Sequence, residues 1–201
     1  MKNILHVLSS TRGDESVSTQ LGNAIIAKLQ NDHPESIVAT TDLEKYPLQH
    51  LNSIRTIAIR TPQDLRTAEQ AEMIRESDEA IATVFAADII VISTPLINFN
   101  IPSSLKVWLD NIARAGVTFS YSAEGAKGLV TGKKVYIALS SGAIYSEGPM
   151  KPMEHATPYL QSMLSFIGLK DITIVRAEGT SIPGVQDVAL EKAIESFSMA
   201  V

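Results

Sequence analysis

A doubly wound α/β domain built on a parallel sheet is the fold this sequence predicts. Three observations carry that expectation. Apolar runs of strand length alternate with helix-period segments five times along the chain. The run Asp88–Ser93 is almost continuously apolar, as parallel strands covered on both faces are. The 201 residues contain no internal repeat and no low-complexity linker, so a single domain over 1–201 is expected.

The elements follow in order. Asn3–Leu8 predicts the first strand. Ser18–Gln30 predicts a helix, with Leu21, Ile25 and Leu29 at four-residue spacing. Ile37–Thr41 is the second strand. Leu43–Pro62 has no clean period and carries two prolines, so it is expected as an excursion. Thr67–Phe85 predicts one helix whose stripe is Met73, Ile74, Ser77, Ile81, Val84 and Phe85. Asp88–Ser93 is the third strand, and Pro102–Ala115 a helix with Leu105, Trp108, Leu109 and Ile112 on one face. Val117–Gly132 is a long loop or irregular hairpin. Lys134–Ser140, the helix Thr157–Ile167, Ile172–Ala177 and the helix Val185–Met199 complete the chain.

Composition removes several function classes. Apolar residues make up 45% and charged residues 19%, a globular balance. A net charge of −5, with no Lys/Arg cluster, disfavours nucleic acid. The absence of cysteine excludes disulfides, thiolate metal sites and a thiol nucleophile, the last of which rules out thiol-dependent phosphatases. Met1–Leu8 lacks the apolar region of a signal peptide, and no stretch is apolar enough to span a bilayer. The expected location is the cytoplasm.

Open α/β sheets bind ligands beyond the carboxyl ends of their strands. The loops after strands one, three and four carry unusual sequences there. The first runs from Ser9 to Ser18 and gathers Ser9, Ser10, Thr11, Ser16 and Ser18 before a helix. Hydroxyls, free N–H groups and the helix dipole suit a phosphate there. The plain alternative is helix capping, which needs one hydroxyl rather than five. No glycine fingerprint and no P-loop occurs, so a terminal mononucleotide phosphate is favoured over a dinucleotide.

The second loop, Thr94–Pro102, is bracketed by Pro95 and Pro102. Its amides Asn98 and Asn100 and its apolar Ile97 and Phe99 suit the edge and face of a ligand. Asn100 by itself is expected to cap the next helix. The third, Ser140–Tyr145, contains Gly142, which permits close backbone approach. Read alone, it is equally a plain strand-to-loop turn.

Other constellations fail. His6, His33, His50 and His155 show no metal-ligand spacing, and His6 is expected as a satisfied core residue. No nucleophile elbow exists. Glu76 and Asp78 are expected on a solvated helix face.

With those loops in hand, the chain resembles the FMN-dependent NADH azoreductases, a branch of the flavodoxin-like NAD(P)H:quinone oxidoreductases. The resemblance runs nearly end to end. Its most specific pieces are Asn98–Ile101, Ala113–Phe119, Gly128–Lys134, Thr157–Leu160 and Phe166–Gly168. It implies a flavodoxin-like sheet of order 2-1-3-4-5 with helices on both faces. It implies an FMN phosphate held by Ser10, Ser16, Val17 and Ser18. The isoalloxazine would lie against Leu96, Ile97, Asn98 and Phe99 and meet Ser140, Ser141, Gly142 and Ala143 on its other side. Phe119, Tyr121, Tyr145 and Phe166 would line the substrate pocket of a homodimer.

Relatives often differ at three of these positions, with an aromatic for Ile97, Arg for Ser141 and Gly for Ala143. Ala143 would be strained if its position needs φ > 0. The activity implied is two-electron, ping-pong transfer from NADH or NADPH to quinones or azo compounds. No side chain need act as acid or base and no metal is implied, because the flavin carries the chemistry. The alternatives are a flavodoxin-type electron carrier and a non-catalytic flavin-binding protein.

Overall fold

The structure, a computed structural model, describes residues 1–199. Its strands are β1 (Asn3–Leu8), β2 (Ile37–Asp42), β3 (Ile89–Pro95), β4 (Phe119–Ser122), β5 (Gly125–Gly128), β6 (Lys134–Ser141) and β7 (Asp171–Glu178). Its helices are α1 (Val17–Asp32), α2 (Ser53–Arg60), α3 (Ala68–Met73), α4 (Arg75–Ala86), α5 (Ser103–Ile112), α6 (Ala156–Ile167) and α7 (Ala189–Met199). Five parallel strands form one sheet in the order β2-β1-β3-β6-β7. Because β4 and β5 form a separate antiparallel hairpin, this is the expected 2-1-3-4-5 order of the sheet strands. No helix among the described residues is long and apolar enough to cross a membrane.

The sheet is apolar on both faces, and the pleat sorts its residues between two cores. Ile4, Ile89, Val91, Tyr136, Ala138 and Val175 meet α1 and α7 on one face. Leu5, Val7, Ile90, Ile92, Val135, Ile137 and Leu139 meet α4, α5 and α6 on the other. Trp108 of α5 is completely buried in the second core.

Two buried arginines organise the chain between β2 and β4. Arg55 of α2 is 3% exposed, donates to the Met73 carbonyl at 2.5 Å and lies 4.0 Å from Glu76. The excursion expected over 43–62 therefore contains α2, capped by the Asn52 carboxamide. Its period is hidden because its inward residues are Arg55 and Ala58, while Ile54 and Ile57 are exposed. The single helix expected over 67–85 is broken at Ile74 (φ −109°, ψ 8°), next to the carbonyl diverted to Arg55. Phe85, expected on its buried stripe, is 41% exposed.

Arg114 is equally buried and pairs with Asp78 and the Ser77 hydroxyl. Glu76 and Asp78 keep the solvent exposure expected of them, with side chains 37% and 46% exposed, yet each also partners a buried cation. The helix expected to reach Ala115 stops at Ile112, whose carbonyl accepts from the Thr118 hydroxyl at 2.7 Å. That hydroxyl also accepts from the Arg114 N–H at 2.8 Å. The final helix begins at Ala189 rather than Val185, because residues 182–188 form successive turns.

His6 is buried, and its Nε2 meets the Ser93 hydroxyl at 2.7 Å. Helix α1 crosses the sheet directly over this pair at Gly22. A Cβ there would collide with the Ser93 hydroxyl and come within 2.8 Å of His6 Nε2. Overpacking of this kind costs about 1–3 kcal/mol. Gly22→Ala is therefore expected to lower stability by about 2 kcal/mol in urea unfolding. Adding Ser93→Ala should recover part of that loss, and strict additivity of the two changes would refute the contact.

Burial lowers the His6 pKa to about 4. The unfolded chain binds its proton near pH 6.5, so the stability from neutral His6 is complete above that pH and is lost as pH falls toward 4. The expected loss between pH 7 and pH 5 is about 2 kcal/mol. His6→Gln should flatten this slope in pH-dependent urea titrations, since the other three histidines are exposed.

Candidate functional site

The carboxyl ends of β1, β3, β6 and β7 deliver four loops to one cleft of about 170 Å³. The loop after β1 contributes Ser10, Thr11, Arg12, Ser16 and Val17. The loop after β3 contributes Leu96 and Ile97 beyond Pro95. Ser140, Ser141 and Gly142 come from the end of β6, and Thr180 and Ser181 from the loop after β7.

The first wall is the N-terminus of α1. Ser16 occupies the cap position, yet its side chain makes no capping bond. Its hydroxyl instead meets that of Ser18 at 2.9 Å, and both residues are buried. The N–H groups of Val17, Ser18 and Thr19 donate to no acceptor among the described residues. The capping alternative therefore fails. What remains is a helix end with open donors, flanked by buried hydroxyls, which is the donor set a phosphate monoester needs. Ser9 anchors this loop to the sheet, since its N–H and its hydroxyl both donate to the Ser93 carbonyl at 3.1 Å.

The second wall is a tight turn. Ile97 and Asn100 exchange backbone bonds of 2.8 and 2.9 Å around Asn98 (φ 47°) and Phe99 (φ 69°). Two positive φ values make this a type I′ turn. Asn tolerates that conformation, but Phe does so only under strain of about 1–3 kcal/mol. The N–H groups of Asn98 and Phe99 donate to no acceptor among the described residues. Asn100 does not cap α5, because its carboxamide accepts from the adjacent Ile101 N–H at 2.8 Å. The turn is braced from outside by His155, whose N–H donates to the Phe99 carbonyl at 2.9 Å. Glu154 holds that brace through Thr157 and Arg176. Burial of Glu154 opposes its charge, but bonds from Thr157 and Arg176 outweigh burial and keep its carboxyl below the ordinary value.

The third wall follows β6. The Ser140 carbonyl accepts from Leu96 at 2.7 Å, fixing the second wall against the third. Gly142, Ala143 and Ile144 keep their N–H groups free among the described residues, while the carbonyls of 141–143 accept from Thr180, Ser181 and Gly179. At Gly142 a Cβ would lie 3.0 Å from the Ser181 hydroxyl, a tight contact that a small shift of that side chain would relieve. Its φ is not positive, and neither is that of Ala143, so the strain anticipated at Ala143 is absent.

Of the residues expected to hold a cofactor, Ser10, Ser16, Val17, Leu96, Ile97, Ser140, Ser141 and Gly142 line the cleft together. Ser18 lies behind Ser16, Asn98 and Phe99 form the adjoining turn, and Ala143 is one residue past the lining. Sequence reasoning missed Thr180 and Ser181 by omitting the loop after the last strand. The signal was Gly179-Thr180-Ser181, hydroxyls behind a glycine at the end of a buried run.

The expected substrate-pocket residues divide. Tyr145 stands edge-on to Phe99 with ring centres 6.4 Å apart. Phe119, Tyr121 and Phe166 form one cluster, with centroids 5.5 and 4.5 Å from Phe119. That cluster lies at the opposite end of the strands from the cleft. Helices α5 and α6 run back against the strands, so their C-terminal ends carry these aromatics to the strand starts. Phe166 there borders a much larger cavity than the cleft, about 920 Å³, beside Lys134, Asp88 and Asp171. Size does not mark the functional site here, because the strand carboxyl ends lie across the sheet.

The strain at Phe99 generates a prediction. Phe99→Asn is expected to stabilise the ligand-free protein by about 1 kcal/mol in urea unfolding, because Asn accepts φ > 0. A loss of stability instead would show that the ring's contacts outweigh the backbone strain.

A family model described as a flavodoxin-like fold matches residues 2–200. The FMN-dependent NADH:quinone oxidoreductase 1 of Rhizobium etli is 52% identical over 194 residues, covering 96% of this chain and 93% of that protein. The FMN-dependent NADH:quinone oxidoreductase of Rhizobium leguminosarum is 49% identical, covering 100% and 97%. The crystal structure of a Bacillus anthracis azoreductase superimposes with a TM-score of 0.87 at 30% identity, covering 98% of both chains. Matches this extensive, on a chain whose serine-rich helix end and strained turn meet at the sheet's carboxyl edge, show that it belongs to the flavodoxin-like family of FMN-dependent NADH:quinone oxidoreductases and azoreductases.

Proposed function

We propose that this protein binds FMN and transfers two electrons from NADH to small planar acceptors, quinones and azo compounds, by a ping-pong mechanism. The observation that carries this reading is the cleft's division of labour. One wall offers the open α1 N-terminus and buried hydroxyls for a phosphate, and two walls offer apolar surface and free N–H groups for a flat ring. The names of the relatives supply the donor and acceptor classes.

When bound, FMN supplies the redox chemistry, accepting hydride from the nicotinamide and returning the electron pair to the acceptor. The chain's own residues bind and orient. Val17 and Ser18 N–H groups and the Ser10 and Ser16 hydroxyls hold the phosphate. Leu96 and Ile97 provide the apolar support for the ring. The free Asn98 and Phe99 N–H groups would bind its polar edge, and those of Gly142 and Ala143 would stabilise the negative charge it gains on reduction. Preorganised donors of this kind are worth about 3–4 kcal/mol each where charge develops.

The acceptor site is completed by a second subunit in a homodimer. The exposed Phe99 and half-buried Tyr145 lie at the carboxyl ends of the strands and the Phe119, Tyr121 and Phe166 cluster at their starts, so two antiparallel copies would bring one set to the other. Stacking on such rings is not atom-specific, which accounts for broad acceptor choice.

Purified protein is expected to be yellow and to bleach rapidly when mixed with NADH in a stopped-flow instrument. Quinone or azo dye should restore the colour, and double-reciprocal plots at several acceptor concentrations should be parallel. Colourless protein that takes up no FMN would end this reading, whereas converging lines would remove only the ping-pong order.

A further inference from the structure

We propose that the Arg12 side chain pairs with the terminal phosphate of the bound flavin nucleotide and selects FMN over riboflavin. The inference rests on the reading that the cleft takes FMN, and goes on to assign the charge that the cleft otherwise lacks.

Arg12 is the one charged side chain among the described residues lining the cleft. Its neighbours there are Ser10, Ser16 and Val17, the phosphate wall. Those groups offer neutral donors. They match the oxygens of a phosphate monoester but not its charge, about −1.5 to −2 at neutral pH. The dipole of α1 contributes only about +0.5 at its N-terminus. The whole chain carries −5, and Asp14 and Glu15 follow directly in the same loop. A cation beside these neutral donors would balance the dianion's charge, and Arg12 is where the lining provides one.

Local structure keeps this cation available. The Arg12 N–H donates to the Ser10 hydroxyl at 3.3 Å, which ties its backbone to the phosphate wall. Gly13, at φ 55°, turns the chain so that Asp14 and Glu15 continue outward into the exposed turn before Ser16. The guanidinium forms no ion pair or hydrogen bond with any described residue, although two acids adjoin it in sequence. By contrast, Arg55, Arg114 and Arg176 are each bound to carbonyls, hydroxyls or carboxylates. A planar guanidinium offers two parallel N–H donors to a phosphate, so Arg serves here better than the point charge of Lys.

The test titrates full-length protein, stripped of flavin, with FMN and with riboflavin by flavin fluorescence. R12Q and R12K are compared with wild type. R12Q is expected to weaken FMN about tenfold at low ionic strength and to leave riboflavin within about twofold, since riboflavin has no phosphate to lose. The salt dependence of FMN affinity should flatten in R12Q, and R12K should fall between the other two.

Equal weakening of both flavins would overturn the assignment by showing that Arg12 merely shapes the loop. FMN affinity unchanged in R12Q, beside tight wild-type binding, would overturn it while leaving the FMN reading intact. A change confined to the KM for NADPH relative to NADH would overturn it in favour of a nicotinamide phosphate. Wild-type protein that binds neither flavin would remove the FMN reading and this assignment together.

Discussion

The site depends first on Ser93. Its carbonyl accepts both the N–H and the hydroxyl of Ser9, and its own hydroxyl meets His6 beneath Gly22. One buried residue on the central strand thus ties together β1, the helix that follows it and the loop between them. Each such bond is worth about 1 kcal/mol net, but a partner left unsatisfied in this dry interior costs about 1–3 kcal/mol. The open end of α1 is therefore held at a fixed height over the sheet by its own donors' neighbours, before any ligand arrives. Glycine at position 22 is what lets the helix lie that close.

A second constraint comes from the buried guanidinium groups. Arg114 is enclosed by Ser77, Asp78 and the turn that Thr118 closes, and Arg55 by Met73, Asn111 and Glu76. Each guanidinium is buried while its carboxylate partner stays more than a third exposed, so solvent screens the pair and it adds little net stability. These groups specify the fold more than they stabilise it. They set where α5 ends and where α3 gives way to α4. They also hold the hairpin that carries Phe119, which Gly128 presses against the backbone of Gly168.

The polarity of the chain separates two chemistries. Strands run toward the serine-lined cleft, and helices α5 and α6 run away from it. Polar donors for a nucleotide consequently collect at one edge, and the Phe119–Phe166 aromatic pair at the other. The Asn98–Phe99 turn, with Tyr145 beside it, keeps aromatic rings at the polar end, Phe99 in a strained backbone. Strain of that kind persists when the surroundings over-determine it, and here His155 and the Ile97–Asn100 bonds do so.

By itself the sequence determined the parallel sheet and singled out three of the four loops at its carboxyl edge, because those follow from short-range signals, while the strand order came with the family resemblance. The continuously apolar run Asp88–Ser93 marks a parallel strand covered on both faces, and hydroxyls massed before a helix mark a candidate anion site. Tertiary structure alone decided the rest. Whether Ser16 caps α1 turns on its pairing with Ser18, and whether the exposed Asp78 also holds a buried cation turns on Arg114, 36 residues away. The break at Ile74, the helix hidden in the 43–62 excursion and the enlistment of Thr180 and Ser181 each depend on partners distant in the chain. No local pattern encodes such pairings, since a polar group's role is set by what the fold brings within 3 Å of it.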